Sequence, residues 1–280
     1  MTAPLFGLVL AGGRSARMAR DKAALRYHGE AQLAVAFKRL QPFVEQAFVS
    51  VRPDQQHDPL RAQFPQIVDG PQSVGPISGL IAAQSAHPEA AWLLLACDLP
   101  FLSDRTLQTL VEARAIDQDA TAFRSAHDGL PEPLCAIFEP RTRERMAAHV
   151  SGGRLCPRKF LLGAATRLLD PIDPSALDNV NSTDEYWQAM ENLDPDTRRT
   201  PRQIRVQYFA LLREQAGRSD ETVETQARTP GELFDELRQR HPFTLGREML
   251  KVAVNAEFGQ WDQPLVAGDN VVFIPPVAGG

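Results

Sequence analysis

A short apolar run near the start of the chain ends in two adjacent glycines and is followed at once by cationic side chains. Residues 8–11 have the composition of a buried β-strand, Gly12 and Gly13 follow, and the cations are Arg14, Arg17, Arg20 and Lys22. Paired glycines let a ligand approach main-chain N–H groups without meeting a Cβ atom, and such cations can neutralise phosphates. The run therefore predicts an anion-binding loop after a strand, although neither of the two commonest phosphate-loop motifs fits it. A buried strand followed by a solvated basic turn is the alternative interpretation.

Runs of strand length alternate with stretches of helical periodicity through the first two thirds of the chain. Residues 32–41 have helical spacing, and the candidate strands around them are residues 46–51, 66–69 and 92–97. This alternation is typical of βαβ units with a mainly parallel sheet. Ligands of such sheets bind beyond the carboxyl ends of the strands. We therefore expect Asp69 and Asp98 there, either as nucleotide or metal ligands or as turn and capping residues.

Two further segments can offer polar groups at a sheet edge. Gly75 lies in a segment of glycine and proline that precedes a predicted helix. This composition suits a loop that presents its backbone to a ligand, and it suits a plain β-to-α turn equally well. Asn179 and Asn181 come just before Ser182 and Glu185, whose spacing predicts a capping box at the head of a helix that ends near residue 192. The two asparagines would thus supply amide groups next to that helix.

A polar segment with proline, aspartate and arginine divides the chain in two. We expect a first domain over residues 1–192, a linker over 193–202 and a second domain over 203–280. In the second domain Ile204, Val206 and Tyr208 alternate as in a half-buried strand, and Thr229 caps a helix that ends near Arg240. Strands over residues 222–225, 251–255 and 271–274 complete a small sheet crossed by one helix, which is a β-grasp pattern, although a ferredoxin-like fold has a similar one.

The last six residues form a tail of two prolines followed by small side chains. Pro275 and Pro276 favour an extended backbone, so that Gly280 would reach about 20 Å from the sheet. A terminal glycine carboxylate is sterically open to activation by ATP, and such a tail can enter a narrow channel. A frayed end without function is the alternative.

Charge and cysteine content exclude several classes of protein. A net charge of −5 gives no reason to expect nucleic acid as a partner. The cysteines, Cys97, Cys135 and Cys156, form no C-x-x-C pair, and the histidines show no zinc-type spacing. No secretion signal or membrane span is recognisable, and we expect a cytoplasmic protein.

The first part of the chain contains several motifs in a characteristic order. They are Leu10-Ala11-Gly12-Gly13-Arg14, Arg17-Met18, Asp21-Lys22, Val74-Gly75-Pro76, Cys97-Asp98-Leu99-Pro100 and Asn179-Val180-Asn181. Together they resemble the molybdenum cofactor guanylyltransferases, which are MobA-like members of the nucleotidyltransferase superfamily. The resemblance implies a Rossmann-like α/β domain that transfers GMP from GTP to the terminal phosphate of molybdopterin and releases pyrophosphate.

The resemblance also implies roles for individual residues. Leu10, Ala11, Gly12 and Gly13 would meet the guanine and the nearby backbone, and Asp98 would bind Mg²⁺. The remaining candidate nucleotide, acceptor and phosphate ligands are Arg14, Arg17, Lys22, Asp69, Gly75, Asn179 and Asn181. Arg17, Lys22 and Asp98 are the catalytic candidates of this domain.

The second part carries Tyr208-Phe209-Ala210-Leu211-Leu212-Arg213-Glu214 near its start and Val272-Phe273-Ile274-Pro275-Pro276-Val277-Ala278-Gly279-Gly280 at its end. These motifs resemble the small, sulfur-carrying MoaD-like subunit of molybdopterin synthase, a small α+β protein of ubiquitin-like β-grasp fold. The resemblance implies that an ATP-dependent adenylating enzyme activates Gly280, that sulfur is held there as a thiocarboxylate, and that the large subunit of molybdopterin synthase is the partner.

One position departs from the guanylyltransferase pattern. Ala19 stands where the family usually has glycine, and a positive φ at that position would cost alanine about 1 kcal/mol or more. Two other functions therefore remain open for the first domain. The first is the use of CTP or of another acceptor, and the second is non-catalytic binding of molybdopterin by a domain attached to a working sulfur carrier.

Overall fold

The computed structural model describes residues 2–12, 18, 20–27, 29–70, 75–198 and 200–276, which form two compact units. The first unit comprises the described residues of Met1–Arg14 and Lys22–Val180, and the second those of Ser15–Asp21 and Asn181–Gly280. The second unit thus begins before residue 192, where we expected the first domain to end. The predicted domain limits 1–192 and 203–280 stay a prediction.

A seven-stranded sheet forms the centre of the first unit. Its strands are β1 (Leu5–Leu10), β2 (Gln46–Val51), β3 (Gln66–Val68), β4 (Ala91–Ala96), β5 (Ala120–Arg124), β6 (Pro131–Phe138) and β7 (Thr166–Leu169). Their order is β3-β2-β1-β4-β6-β5-β7, in which β6 runs antiparallel to β4 and β5 while the other pairs are parallel. The predicted mainly parallel α/β sheet is confirmed.

Helices cover both faces of this sheet. They are α1 (Gln32–Leu40), α2 (Pro76–Ala86), α3 (Asp104–Glu112), α4 (Arg143–Ser151) and α5 (Pro157–Leu162). The core under α1 and α3 takes Leu93 and Leu95 from β4, whereas the core under α2, α4 and α5 takes Trp92 and Leu94. Because β4 is buried on both faces, its sequence is a continuous apolar run, as is usual for a central parallel strand.

The second unit is a mixed five-stranded sheet with a helix packed on it. Its strands are β8 (Arg202–Tyr208), β9 (Asp220–Thr225), β10 (Lys251–Val254), β11 (Glu257–Phe258) and β12 (Asn270–Ile274), in the order β11-β10-β12-β8-β9. Helix α8 (Pro230–Arg240) buries Leu233, Phe234 and Leu237 in the core of this unit. The predicted β-grasp arrangement and the predicted bounds of α8 are confirmed. The remaining helices are α6 (Thr183–Leu193) and α7 (Ala210–Ala216).

Helix α6 belongs to the second unit by its packing. Its predicted capping box is present, since the Ser182 Oγ accepts from the Glu185 N–H at 3.2 Å while the Glu185 carboxylate accepts from the Ser182 N–H. The indole Nε1 of Trp187 donates to the Arg228 carbonyl at 3.1 Å, and the Arg202 guanidinium lies 4.3 Å from the centre of the same ring. The sequence predicted this helix but not its attachment to the second unit.

Within the described part of the chain, no helix is long and apolar enough to cross a membrane.

Gly7 allows α1 to approach β1 closely. A Cβ atom at Gly7 would lie 2.6 Å from Leu40 Cδ2 and 3.2 Å from Val44 Cγ2. Leu40 is fully buried, so its side chain cannot move away without disturbing the core. We expect Gly7→Ala to lower the free energy of unfolding by about 1–3 kcal/mol, measured by urea denaturation.

Gly163→Ala is the matched control, because a Cβ atom there would meet its nearest neighbour, the Phe160 carbonyl, at 3.7 Å. This variant should change the free energy of unfolding by less than about 0.5 kcal/mol. Equal stability of the two variants would contradict the proposed close packing at Gly7.

Candidate active site

The carboxyl ends of four neighbouring parallel strands form one edge of the first unit. Strands β3, β2, β1 and β4 are adjacent in that order, and the pairing extends to Val51 with Val68 and to Leu10 with Ala96. The residues directly after these strands therefore come to the same edge, which is where open α/β sheets bind ligands.

Asp69 and Gly12 lie next to each other at this edge. The Asp69 carboxylate accepts a hydrogen bond from Ser50 Oγ at 2.6 Å, and its backbone N–H donates to the Val51 carbonyl at 2.8 Å. A Cβ atom at Gly12 would lie 3.5 Å from Asp69 Oδ2, and Ala11 donates its N–H to the Ser50 carbonyl at 3.2 Å. The structure thus brings Ala11, Gly12 and Asp69 together, as the prediction of one nucleotide site requires.

Two arginines that were not among the predicted site residues bind the main chain of this loop. Arg61 is only 2% exposed and donates to the Ala11 carbonyl from Nε at 3.0 Å and from Nη2 at 2.8 Å. Arg52 donates through Nη1 to the Gly12 carbonyl. Both arginines lie in polar stretches without periodicity, and no local sequence signal distinguishes them from solvated residues.

Lys22 and Asp98 form the charged pair of the site. Lys22 Nζ lies 2.9 Å from Asp98 Oδ2, and the two side chains are 19% and 18% exposed. Asp98 follows β4 and Lys22 begins a single 3₁₀ turn over Lys22–Ala24. The pair places one cation and one anion together at the edge where Gly12 and Asp69 also lie.

The carboxylate of Asp98 fits a magnesium ion. Mg²⁺ is usually bound by one or two carboxylates and takes its other ligands from water and substrate phosphates. Among the described residues, no group of three or more His, Cys, Asp or Glu side chains could hold a metal ion.

The two residues that flank Asn179 in the sequence each form a hydrogen bond to another part of the first unit. Its neighbour Val180 donates its N–H to the Asp98 carbonyl at 3.2 Å, and its other neighbour Asp178 bonds to His127 Nε2 at 2.7 Å. Asn179 itself is exposed. The segment that carries this predicted acceptor ligand is therefore attached directly to the backbone of the predicted metal ligand.

The other predicted residues have different positions. Asn181 belongs to the second unit, where its N–H donates to the Glu185 carboxylate at 2.6 Å. Gly75 is exposed and precedes α2 with a φ of 99°, a conformation that favours glycine. Arg20 also belongs to the second unit, where it forms a bidentate ion pair with the buried Asp269. Gly13, Arg14, Arg17, Ala19 and Gly280 lie outside the described residues.

Two of the three cysteines of the first unit are buried. Cys97 and Cys135 are buried and Cys156 is exposed. Burial raises the pKa of the Cys135 thiol to about 12, so that it stays protonated and unreactive at neutral pH.

Comparison with protein families assigns both parts of the chain. Residues 7–167 match the model of the MobA-like NTP transferase domain, and residues 206–280 match that of the ThiS family. The molybdenum cofactor biosynthesis bifunctional protein of Synechocystis is 35% identical over 185 residues, which are 66% of this chain and 53% of that protein. The chain thus matches about half the length of this relative.

Two further relatives match over almost their whole length. A probable molybdenum cofactor guanylyltransferase of Synechococcus elongatus is 32% identical over 188 residues, covering 66% of this chain and 96% of that protein. The crystal structure of molybdopterin-guanine dinucleotide biosynthesis protein A from Archaeoglobus fulgidus superposes with a TM-score of 0.59 at 21% identity, covering 68% of this chain and 99% of that chain. At this identity the superposition shows a shared fold.

The bond between His127 and Asp178 gives a measurable electrostatic effect. The hydrogen bond to Asp178 and the attraction of its charge raise the pKa of His127, with smaller effects from Glu132 and Asp128. The charged pair is therefore complete below the His127 pKa and is lost as the pH rises through it. We expect Asp178→Asn to lower the His127 pKa, measured by NMR titration of the imidazole.

Asp128→Asn is the control, since Asp128 makes the smallest of these contributions, and it should lower the His127 pKa less than Asp178→Asn does. Because His127 is 75% exposed, neither change should alter the stability noticeably. A pKa that is the same in the wild type and in Asp178→Asn would show that the bond does not persist in solution.

Proposed function

Because this chain belongs to the family of MobA-like NTP transferases and carries a ThiS family domain after that domain, we propose that it serves molybdenum cofactor biosynthesis with two activities. The first unit transfers GMP from GTP to the terminal phosphate of molybdopterin and releases pyrophosphate. The second carries sulfur as a thiocarboxylate on Gly280 for molybdopterin synthase.

Family membership confirms the predicted class of enzyme, a nucleotidyltransferase followed by a sulfur-carrier-like domain. The choice of GTP is supported by the names of the relatives, among them the probable guanylyltransferase of Synechococcus elongatus. A role in molybdenum cofactor biosynthesis is supported in the same way, through the name of the Synechocystis bifunctional protein, and molybdopterin as the acceptor is part of the proposal.

One structural observation carries the proposal for the first unit. Gly12 beside Asp69, and Lys22 paired with Asp98 at 2.9 Å, lie at the carboxyl edge of the same parallel strands. A nucleoside triphosphate has an uncharged end that needs backbone and carboxylate contacts and a charged end that needs cations. The edge offers both kinds of group.

In the proposed reaction, an oxygen of the terminal phosphate of molybdopterin attacks the α-phosphorus of GTP. The bond from this phosphorus to the oxygen that bridges to the β-phosphate breaks, and pyrophosphate leaves with the electron pair. Such a transfer needs alignment and charge neutralisation but no protein nucleophile. Lys22 would hold the phosphates, Asp69 and the backbone of Leu10–Gly12 would hold the nucleoside, and Asn179 would hold the acceptor. The role of Asn181 as a further acceptor ligand rests on the resemblance of its motif alone.

Asp98 would hold Mg²⁺, and the metal when bound would neutralise charge on the phosphates and on the leaving pyrophosphate. Until nucleotide arrives, Lys22 balances the charge of Asp98. The roles of Arg14 and Arg17 as further phosphate ligands, and of Gly13 and Gly75 as loop residues at the nucleotide, rest on the resemblance of their motifs.

The second unit would act through its last residue. An ATP-dependent adenylating enzyme would join the Gly280 carboxylate to AMP with release of pyrophosphate, and a sulfur nucleophile would then displace AMP. The large subunit of molybdopterin synthase would receive the tail. The match of residues 206–280 to the ThiS family and the β-grasp sheet support this role. Both proposed activities depend on nucleoside triphosphates, which favours the cytoplasm as their location.

We expect Asp98→Asn to reduce GMP transfer about 100-fold or more, because one charge that organises the phosphates is lost. The measurement is pyrophosphate release from GTP, Mg²⁺ and molybdopterin, with CTP in place of GTP as the comparison. Asp104→Asn is the matched control, since Asp104 is 76% exposed at the start of α3. It should leave the rate within about twofold of the wild type.

Faster turnover with CTP would assign the first unit to another nucleotide. No pyrophosphate release with either nucleotide would favour a molybdopterin binder without catalytic activity. A rate in Asp98→Asn that equals the wild-type rate would remove Asp98 from the site.

Deletion of Gly280 tests the second activity separately. The deletion should abolish sulfur transfer to the pterin precursor in an assay with the adenylating enzyme and the large synthase subunit, because the activated carboxylate is lost. GMP transfer by the same variant should equal that of the wild type. Intact-mass analysis should show the exchange of one oxygen for sulfur only in the wild type, and sulfur transfer by the deletion variant would refute the role of Gly280.

A further inference from the structure

Arg61 is a fully buried cation that the proposed chemistry does not use. It is only 2% exposed, whereas arginine is almost never fully buried unless it is paired. Taking a guanidinium out of water costs several kcal/mol unless its donors find partners. The groups that accept hydrogen bonds from Arg61 therefore indicate the function of its burial.

Among the described residues, the Ala11 carbonyl and the Asp58 carboxylate both accept hydrogen bonds from the guanidinium of Arg61. Its Nε and Nη2 donate to the Ala11 carbonyl at 3.0 and 2.8 Å, and its Nη1 lies 3.1 Å from Asp58 Oδ1. The same carboxylate oxygen accepts from the Arg61 backbone N–H at 3.0 Å. Hydrogen bonds from a charged donor are roughly twice as strong as neutral ones, so the two donors of Arg61 hold the Ala11 carbonyl oxygen firmly.

The orientation of the Ala11 carbonyl decides the orientation of the next N–H group. All described peptide bonds are trans, and in a trans peptide unit the C=O and the N–H point in opposite directions. Because Arg61 draws the Ala11 carbonyl towards the buried side of the loop, the N–H of Gly12 points to the other side. A Cβ atom at Gly12 would lie 3.5 Å from Asp69 Oδ2 and 3.6 Å from Arg52 Cγ, which is ordinary van der Waals contact.

We propose that Arg61 is a positioning residue for the nucleotide, which orients the Ala11–Gly12 peptide so that the Gly12 N–H faces an acceptor atom of the ligand. This inference rests on the proposed function, since it needs a nucleotide at this edge of the sheet. Arg61 acts through the peptide and does not itself touch the nucleotide. Arg52, on the Gly12 carbonyl, holds the next peptide unit in the same manner.

A structural arginine of the same unit serves as the matched control. Arg114 is 12% exposed and forms a bidentate pair with the buried Glu139, at 2.7 Å from Nε and 2.9 Å from Nη2. Glu139 follows β6, whose last residue Phe138 pairs with Trp92 near the start of β4. Arg114 thus lies at the opposite edge of the sheet from the nucleotide loop.

The test compares Arg61→Ala, Arg61→Lys and Arg114→Ala in the full chain. GTP affinity in the presence of Mg²⁺ is measured by titration calorimetry, KM and kcat by pyrophosphate release, and the melting temperature by circular dichroism. We expect Arg61→Ala to weaken GTP binding about tenfold and to raise KM for GTP more than it lowers kcat. Arg61→Lys, which keeps the charge but not the fork of donors, should recover part of the affinity.

Arg114→Ala should lower the melting temperature while its GTP affinity stays within about twofold of the wild type. Wild-type affinity in a folded Arg61→Ala protein would overturn the inference, as would an equal loss of affinity in Arg114→Ala. If Arg61→Ala does not fold, the Arg61→Lys variant is the test. Unchanged GTP affinity in Arg61→Lys, together with an unchanged rate of amide hydrogen exchange at Gly12, would refute the positioning role of Arg61. A wild-type protein that binds no GTP would refute the proposed function itself, and the inference with it.

Discussion

The parallel pairing of β1 with β2 and β4 is the constraint on which the candidate site depends. A strand buried on both faces accepts a polar side chain only where that side chain finds a partner, and β4 is apolar at each of its six positions. The buried Ser50 of β2 has such a partner in Asp69, and the charged residues of the candidate site follow the strand ends. Because the strands are parallel, these ends coincide, and residues from distant parts of the sequence meet without any long-range pattern in the sequence itself.

Burial at this edge also fixes the loop that follows β1. The Asp69 carboxylate is 6% exposed and the Arg61 guanidinium 2%, and each is satisfied by groups of the neighbouring strands and loops. A buried polar group without partners would cost several kcal/mol. The hydrogen bonds that avoid this cost also determine the direction of the peptides at Ala11 and Gly12. The same contacts therefore stabilise the fold and orient the backbone of the loop.

Local patterns in the sequence predicted much of the fold. Helix α1 was expected over residues 32–41 and spans Gln32–Leu40, strand β2 has the predicted bounds, and the capping box at Ser182 is present. These features depend on periodicity and on capping, which short windows reveal. The antiparallel direction of β6 was not predicted, because direction depends on the route of the chain and not on the composition of the strand.

The sequence predicted those residues of the candidate site that directly follow a strand. Asp69 and Asp98 directly follow apolar runs, and this position identified them. Arg52 and Arg61 lie within polar segments, and only the folded chain shows that their guanidinium groups reach the carbonyls of Gly12 and Ala11. The partner of such an arginine is a backbone oxygen, which every residue carries, so the sequence contains no complementary side chain that would reveal the contact.

Lys22 and Asp98 form an ion pair at the edge of the sheet where we propose that the nucleotide binds. At 19% and 18% exposure each group has lost much of its water, and an isolated charge there would be costly. The pairing at 2.9 Å offsets this cost. A triphosphate would provide Lys22 with new anionic partners, so that its arrival exchanges one set of ionic contacts for another. In the proposed function this exchange would separate the pair, so that Lys22 becomes available for the phosphates and the Asp98 carboxylate for the magnesium ion.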